Sequence, residues 1–250
     1  MVGAPGAGKG TQAALLAERL GVPHVASGDL FRDHIRRDTP LGKKVKSFIE
    51  RGSLVPDDLT VQMISDRLAE KDARDGAILD GFPRTRPQAE ALDKMLDRRG
   101  GRVAAALYID VDRDELIRRL SGRWLCSVAS DHVYHATARP PKVAGKCDID
   151  GAALYQRDDD KPETIRVRLE QQVPPMFEVI DYYADRGVLN TVKGDRPMAE
   201  VTDELMHALA SDGRNPAEAP GGDRLARSGG PKARRGGKQL PPAHASAGKL

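Results

Sequence analysis

The chain has 250 residues, 40 Lys+Arg against 37 Asp+Glu, 31% charged and 39% hydrophobic positions, which supports one sizeable core or two and excludes a wholly disordered chain. No apolar run approaches the roughly 18 residues of a membrane-spanning helix, and the start Met1-Val2-Gly3-Ala4-Pro5-Gly6 lacks the charged-then-apolar pattern of a signal peptide, so no membrane partner and a cytoplasmic location are expected. Two cysteines, Cys126 and Cys147, are too few for a disulfide framework and in a reducing compartment are either inert or metal ligands.

The first element is a glycine-rich loop, Gly3-Ala4-Pro5-Gly6-Ala7-Gly8-Lys9-Gly10-Thr11, which fits G-x-x-x-x-G-K with the threonine one position beyond its usual place. Glycines let consecutive backbone N–H groups point at phosphate oxygens, the following helix offers its positive end, and Lys9 adds a mobile charge for the β and γ phosphates. Such a loop hangs from a buried strand, yet only Met1 and Val2 precede it, so a start assigned too far downstream is expected in preference to a truncation.

Helical patterns follow over Gly10 to Leu20, Gly28 to Arg37, Leu41 to Arg51, Asp57 to Lys71, Pro87 to Arg98, Arg113 to Ser121, Pro162 to Gln172 and Pro197 to Leu209. Pro174-Pro175 is expected to break the pattern after Pro162 and to start a second helix from Met176 to Ala184. Between helices, the apolar runs Ala77 to Leu79, Ala104 to Val111 and Val188 to Val192 read as buried strands, and the alternation predicts an α/β fold with a parallel sheet covered by helices. Asp80, at the end of the first of these runs, stands where a carboxylate organises Mg²⁺ through its waters. Residues 123 to 160 break the alternation: short β-like pieces, Pro140-Pro141 and scattered glycines suggest a small inserted subdomain. Residues 212 to 250 hold thirteen Gly plus Pro and a charge of +5, and contain no Val, Ile, Phe, Tyr or Trp. They read as a disordered, solvated basic tail, with Lys232 to Lys238 as a cluster able to touch RNA or anionic lipid, although no specific nucleic-acid partner is expected.

Gly3 to Thr11, then Ser27-Gly28-Asp29, then Asp80-Gly81-Phe82-Pro83-Arg84, in that order and spacing, resemble the adenylate kinases, and the resemblance covers residues 1 to about 211. It implies a reversible transfer of the terminal phosphoryl group of Mg·ATP to AMP, giving two ADP. It also implies a monomer with a five-stranded P-loop sheet, an AMP-binding insert at about 27–56 and a mobile lid at about 123–160. By resemblance, Lys9, Arg84, Arg123, Arg157 and Arg168 would be catalytic. ATP would meet Gly6, Ala7, Gly8, Lys9, Gly10, Thr11, Arg119, Arg123, Val133, Tyr134 and the backbone near Arg196. AMP would meet Ser27, Arg32, Ser53, Leu54, Val55, Gly81, Phe82, Pro83, Arg84, Gln88, Arg157 and Arg168, with the Gln88 amide reading adenine. Asp158, Asp159 and Asp160 would hold the arginines in position or form a plain acidic loop.

Long lids of this family often hold structural zinc with Cys-x2-Cys pairs. Here the second members are Ala129 and Asp150. Aspartate is an acceptable oxygen ligand, and His132 would complete a Cys126-His132-Cys147-Asp150 tetrahedron, with His135 as the rival donor and a hydrogen-bonded, metal-free segment as the alternative. Two further readings remain: a related nucleoside monophosphate kinase with another donor or acceptor, and a non-catalytic nucleotide-binding protein.

Overall fold

The structure is a computed structural model that describes residues 1–129 and 131–211. The basic tail expected at 212–250 lies outside the described residues. In chain order the elements are α1 (Lys9–Leu20), β1 (His24–Ala26), α2 (Ser27–Arg36), α3 (Pro40–Glu50), α4 (Asp57–Leu68), β2 (Ile78–Asp80), α5 (Arg86–Asp97), β3 (Ala106–Asp110) and α6 (Arg113–Ser121). Next come β4 (Arg123–Cys126), β5 (Val133–His135), β6 (Leu154–Tyr155), α7 (Pro162–Ala184), β7 (Leu189–Lys193) and α8 (Met198–Ser211). Thr39 and Thr85 cap α3 and α5, accepting from the N–H of Gly42 and Gln88, and a proline follows each cap in the first turn. These are the residue types that satisfy orphan donors at helix starts.

Parallel pairing is present: β1 pairs with β2 and β3 with β7. The expected five-stranded sheet takes a different form, two two-stranded parallel pairs with Met1 and Val2 between them. Val2 donates to Leu107 O at 2.7 Å and accepts from Ile109 N at 3.0 Å, making a single parallel bridge to β3. Met1 N donates to Leu79 O of β2 at 2.7 Å. Two residues supply one bridge to β3 and one hydrogen bond to β2, too short a segment to form a ladder.

The expected break at Pro174-Pro175 does not occur, because α7 runs through both prolines. Each proline removes an N–H that would bond four residues back. The carbonyls so freed belong to Glu170 and Gln171, both exposed to water, while Leu169, Gln172, Met176 and Val179 bury the opposite face and hold the helix in one piece. Packing outweighs the local rule here. Strand β1 and the short 3-10 turn at Lys71–Ala73, which ends α4 three residues early, also depart from the sequence reading.

Two apolar cores result. One joins Val2, Ile109, Leu120, Leu169, Val179, Tyr183 and Leu205; the other joins Val25, Phe31, Val45, Ile64, Phe82 and Leu92. Segment 123–160 is separate: β4 pairs antiparallel with β5 and β6 around a small core of, among the described residues, Cys126, Tyr134 and Cys147, with Trp124 and Leu154 packed against it. So small a core needs a staple.

Candidate active site

The glycine-rich loop turns between Val2 and α1 through left-handed backbone. Gly6 has φ 87°, and a Cβ there would stand 2.9 Å from Leu120 Cγ, so only glycine fits the approach to α6. Gly8, at φ 93°, leads into α1, and no side chain caps that helix start. Its first N–H groups therefore face a cleft of about 710 Å³ that Lys9, Asp80, Arg84 and Arg168 line. A cleft of that size lies in the range of nucleotide-scale ligand sites.

Lys9 Nζ donates to Ala4 O at 2.8 Å. Burial lowers its pKa from 10.5 to about 8, against the pull of Asp80 and with the help of Arg84, Arg168 and Arg123. Asp80 ends β2. Burial pushes its carboxyl up, but His24, whose Nε2 lies 3.6 Å away, and the charge of Lys9 outweigh that and hold it at about 2. A carboxylate ionised at every physiological pH beside a phosphate loop suits a magnesium ion arriving with a nucleotide.

Around these two groups the structure gathers guanidinium groups. Burial first, then the neighbouring Arg168, lowers Arg84 to about 10; burial, then Arg32 and Arg123, lowers Arg157 to about 10. The Nε atoms of Arg157 and Arg168 are buried with no hydrogen-bond partner among the described residues. Cations that destabilise one another and keep donors unspent are a site prepared for a polyanion. Arg84 is fixed by Nε to Gly81 O at 2.7 Å and Nη1 to Gln172 Oε1 at 2.8 Å, and Gln172 Nε2 donates to Gly52 O at 2.6 Å. Asp160, its side chain fully buried, accepts from Arg123 at 2.6 and 2.8 Å and from Arg168 at 2.8 Å. Asp159 faces Arg168 at 3.3 Å, while Asp158 pairs with exposed Lys161.

Most expected site residues line this cleft: Gly6, Gly8, Lys9, Gly10, Thr11, Ser27, Arg32, Ser53, Leu54, Val55, Gly81, Pro83, Arg84, Gln88, Arg119, Arg123, Val133, Tyr134, Arg157 and Arg168. Three do not. Ala7 and Phe82 are buried in the two apolar cores, and the side chain of Arg196, whose backbone is the expected contact, pairs with Glu204. Ser27 Oγ donates to Gly81 O at 2.7 Å and ties the start of α2 to the turn after β2. Arg119 donates to Glu115 and, at 2.8 Å, to Gly194 O.

Gln88 is 1% exposed and already bonded: its Oε1 accepts from Arg84 N at 2.8 Å and its Nε2 donates to Asp57 Oδ1 at 2.7 Å. Sequence reasoning missed Asp57, Gln172 and His24 as members of the site. The first two read as ordinary helix positions, and their partners are 31 and 120 residues distant in the chain.

Within segment 123–160 the ligand atoms of Cys126, His132, Cys147 and Asp150 lie within 4.8 Å of one another. Cys126 Sγ stands 3.2 Å from Asp150 Oδ2, His132 Nδ1 3.1 Å from the same oxygen, and Cys147 Sγ 3.4 Å from His132 Nδ1. Tetrahedral zinc with bonds of about 2.0–2.3 Å separates neighbouring donors by roughly 3.3–3.8 Å, so the four fit with small adjustments. Burial works against the Cys147 thiolate, yet the Tyr134 hydroxyl and the N–H groups of Asp150 and Ile149 bring its pKa down. The rival His135 is occupied elsewhere: its Nε2 bonds Arg118 O at 3.1 Å and its ring packs where a Cβ on Gly122 would stand 2.3 Å from that nitrogen.

Comparison with known proteins places these features. The family model described as "Adenylate kinase" matches residues 1–188. The chain is 49% identical over 209 residues to the adenylate kinase of Streptomyces avermitilis, covering 84% of this chain and 95% of that protein. It is 50% identical over 209 residues to that of Acidothermus cellulolyticus, covering 84% and 96%, and 46% identical over 211 residues to that of Listeria monocytogenes serotype 4b, covering 84% and 98%.

Proposed function

The chain belongs to the adenylate kinase family, and from that premise we propose how its residues divide the work. It is an enzyme that transfers the terminal phosphoryl group of ATP to AMP, giving two ADP. We assign the ATP phosphates to the loop from Gly6 to Thr11 with Lys9, Arg119 and Arg123, the AMP phosphate to Arg32 and Arg84, and the transferred group to Lys9, Arg84, Arg123, Arg157 and Arg168. The observation that carries this reading is the convergence of mutually repelling, partly unpartnered cations on the phosphate loop.

No covalent enzyme intermediate is needed, because phosphoryl transfer is accelerated by positioning and charge stabilisation. Magnesium enters with ATP, and Asp80 is the carboxylate that would orient its waters. Arg123 and Arg157 sit at the two ends of segment 123–160, which we read as a lid. Polyanionic substrate relieves the repulsion of Arg157 by Arg32 and Arg123, so closing over substrate becomes favourable only when substrate is present. Closure also excludes water from the transferred group. We read segment 27–56 as the AMP-binding insert, the two parallel pairs with Met1-Val2 as one five-position sheet, and the lid cluster as a structural zinc site that staples its small core. We read the enzyme as a monomer from its family resemblance. No helix among the described residues is long and apolar enough to cross a membrane, and two unpaired cysteines fit a reducing, cytoplasmic setting.

The test is ADP formation from ATP, AMP and Mg²⁺, with Lys9→Ala as the blank. Lys9-dependent activity is expected, and faster turnover of UMP or CMP than of AMP would overturn the assignment of Gln88.

A further inference from the structure

A glutamine amide can present either of two patterns to a base. With Oε1 and Nε2 one way round it accepts from a ring amino group and donates to the adjacent ring nitrogen, as AMP requires. Flipped, it matches a 6-oxo purine, whose oxygen accepts and whose N1–H donates. A free glutamine serves both, so the residue type alone does not account for discrimination.

Gln88 is not free to flip. Its Oε1 accepts from the backbone N–H of Arg84 at 2.8 Å and its Nε2 donates to Asp57 Oδ1 at 2.7 Å. Neither partner is ambiguous, since a backbone N–H only donates and a carboxylate only accepts. The flipped amide would set oxygen against carboxylate and N–H against N–H. One hydrogen on Nε2 and one lone pair on Oε1 remain for a base. Asp57 is itself held: its Oδ2 accepts from Thr85 Oγ1 at 3.0 Å, it occupies the first turn of α4, where a negative charge is favoured, and Thr85 Oγ1 accepts from Gln88 N at 3.3 Å.

We propose that Asp57 is a specificity-determining positioning residue, whose bond to Gln88 fixes the amide in the orientation that accepts a 6-amino purine nucleotide and rejects a 6-oxo one. This rests on the reading that Gln88 faces the base of AMP.

The test compares kcat/KM for AMP and for IMP, at saturating Mg·ATP, in the wild type, Asp57→Asn, Asp57→Ala and Gln88→Ala. In Asp57→Asn the new amide can donate to a flipped Oε1, so the AMP-over-IMP ratio should fall roughly tenfold, the factor carried by one charge-assisted hydrogen bond. The change should lie mainly in KM for AMP, with KM for ATP within about twofold of wild type, a split that general loosening of the fold would not give. Loss of folded enzyme scales both substrates equally, so the ratio remains readable in a destabilised variant. A ratio within about twofold of wild type in both Asp57 variants, with Gln88→Ala lowering it, would refute the role of Asp57 and leave that of Gln88 standing. An unchanged ratio in Gln88→Ala as well would remove the reading beneath it.

Discussion

The ammonium of Lys9 is held in the fold at a cost that substrate removes, and replacing it with methionine should expose that cost. Its pKa falls from 10.5 to about 8 on folding, chiefly through burial, which favours the neutral amine by about 3 kcal/mol. The sign follows from proton binding. Below pH 8 the lysine is charged in both states and the full penalty opposes folding. Between pH 8 and 10.5 the unfolded chain binds more protons than the native one, so stability rises with pH and the penalty fades to about 1 kcal/mol near pH 9.5. Lys9→Met should therefore be the more stable protein at pH 7, by up to about 3 kcal/mol, and the advantage should shrink as pH rises to 9.5. That figure is an upper one, because Lys9 keeps some solvent contact and Asp80 loses a charge that faces it. Urea unfolding at the two pH values measures it. The same variant should lose phosphotransfer and most of the thermal shift that ATP gives the wild type. A Lys9→Met enzyme less stable than wild type at pH 7, with no pH-dependent difference, would refute the argument and show that Asp80 fully compensates the ammonium.

Three further outcomes are expected. Metal analysis should find stoichiometric zinc in protein purified without chelator and none in Cys147→Ser, and 1,10-phenanthroline should lower the unfolding temperature of the wild type only. Asp160→Asn leaves Arg123 and Arg168 without the buried carboxylate that joins them and should cost about 3–5 kcal/mol in urea unfolding, whereas Asp158→Asn, on the surface, should cost under about 1 kcal/mol. Gly122→Ala would drive His135 from Arg118 O, costing roughly 1–3 kcal/mol, and should lower kcat through the loosened hinge of the proposed lid, as steady-state kinetics would show.

What was legible in the sequence was local. The phosphate loop is read from nine consecutive residues because its function lies in its backbone, and the helical patterns of α3 and α5 are read to within one residue of their starts. Strand β1 was not legible, since three residues after Pro23 carry too little pattern to separate a strand from a loop. The uninterrupted α7 is not legible either, because the effect of proline is local whereas the buried face that overrides it is set by the fold. Phe82 travelled with its motif into the expected AMP site, yet its side chain fills the second core; the motif places Arg84 and Gly81 at the cleft by anchoring Phe82 away from it.

The same distinction runs through the polar groups of the site. The arginines are proposed from the resemblance, by their match to the family's positions, and their charge suits phosphate. Two of the groups that aim them are not legible, because an aspartate or glutamine acquires that role only from a partner brought near by folding: Gln172 to Arg84 and Gly52, Asp57 to Gln88; Asp160, close to Arg157 in the chain, is expected to hold arginines and does so at Arg123 and Arg168. Charge alone attracts a polyanion and would bind any nucleotide. Discrimination and a reactive geometry need the orientation of each charged or amide group to be fixed before substrate arrives, and here that falls to neutral or acidic side chains with no phosphate to bind. Substitutions at those positions should therefore change which nucleotide reacts, and how fast, more than how tightly phosphate is held.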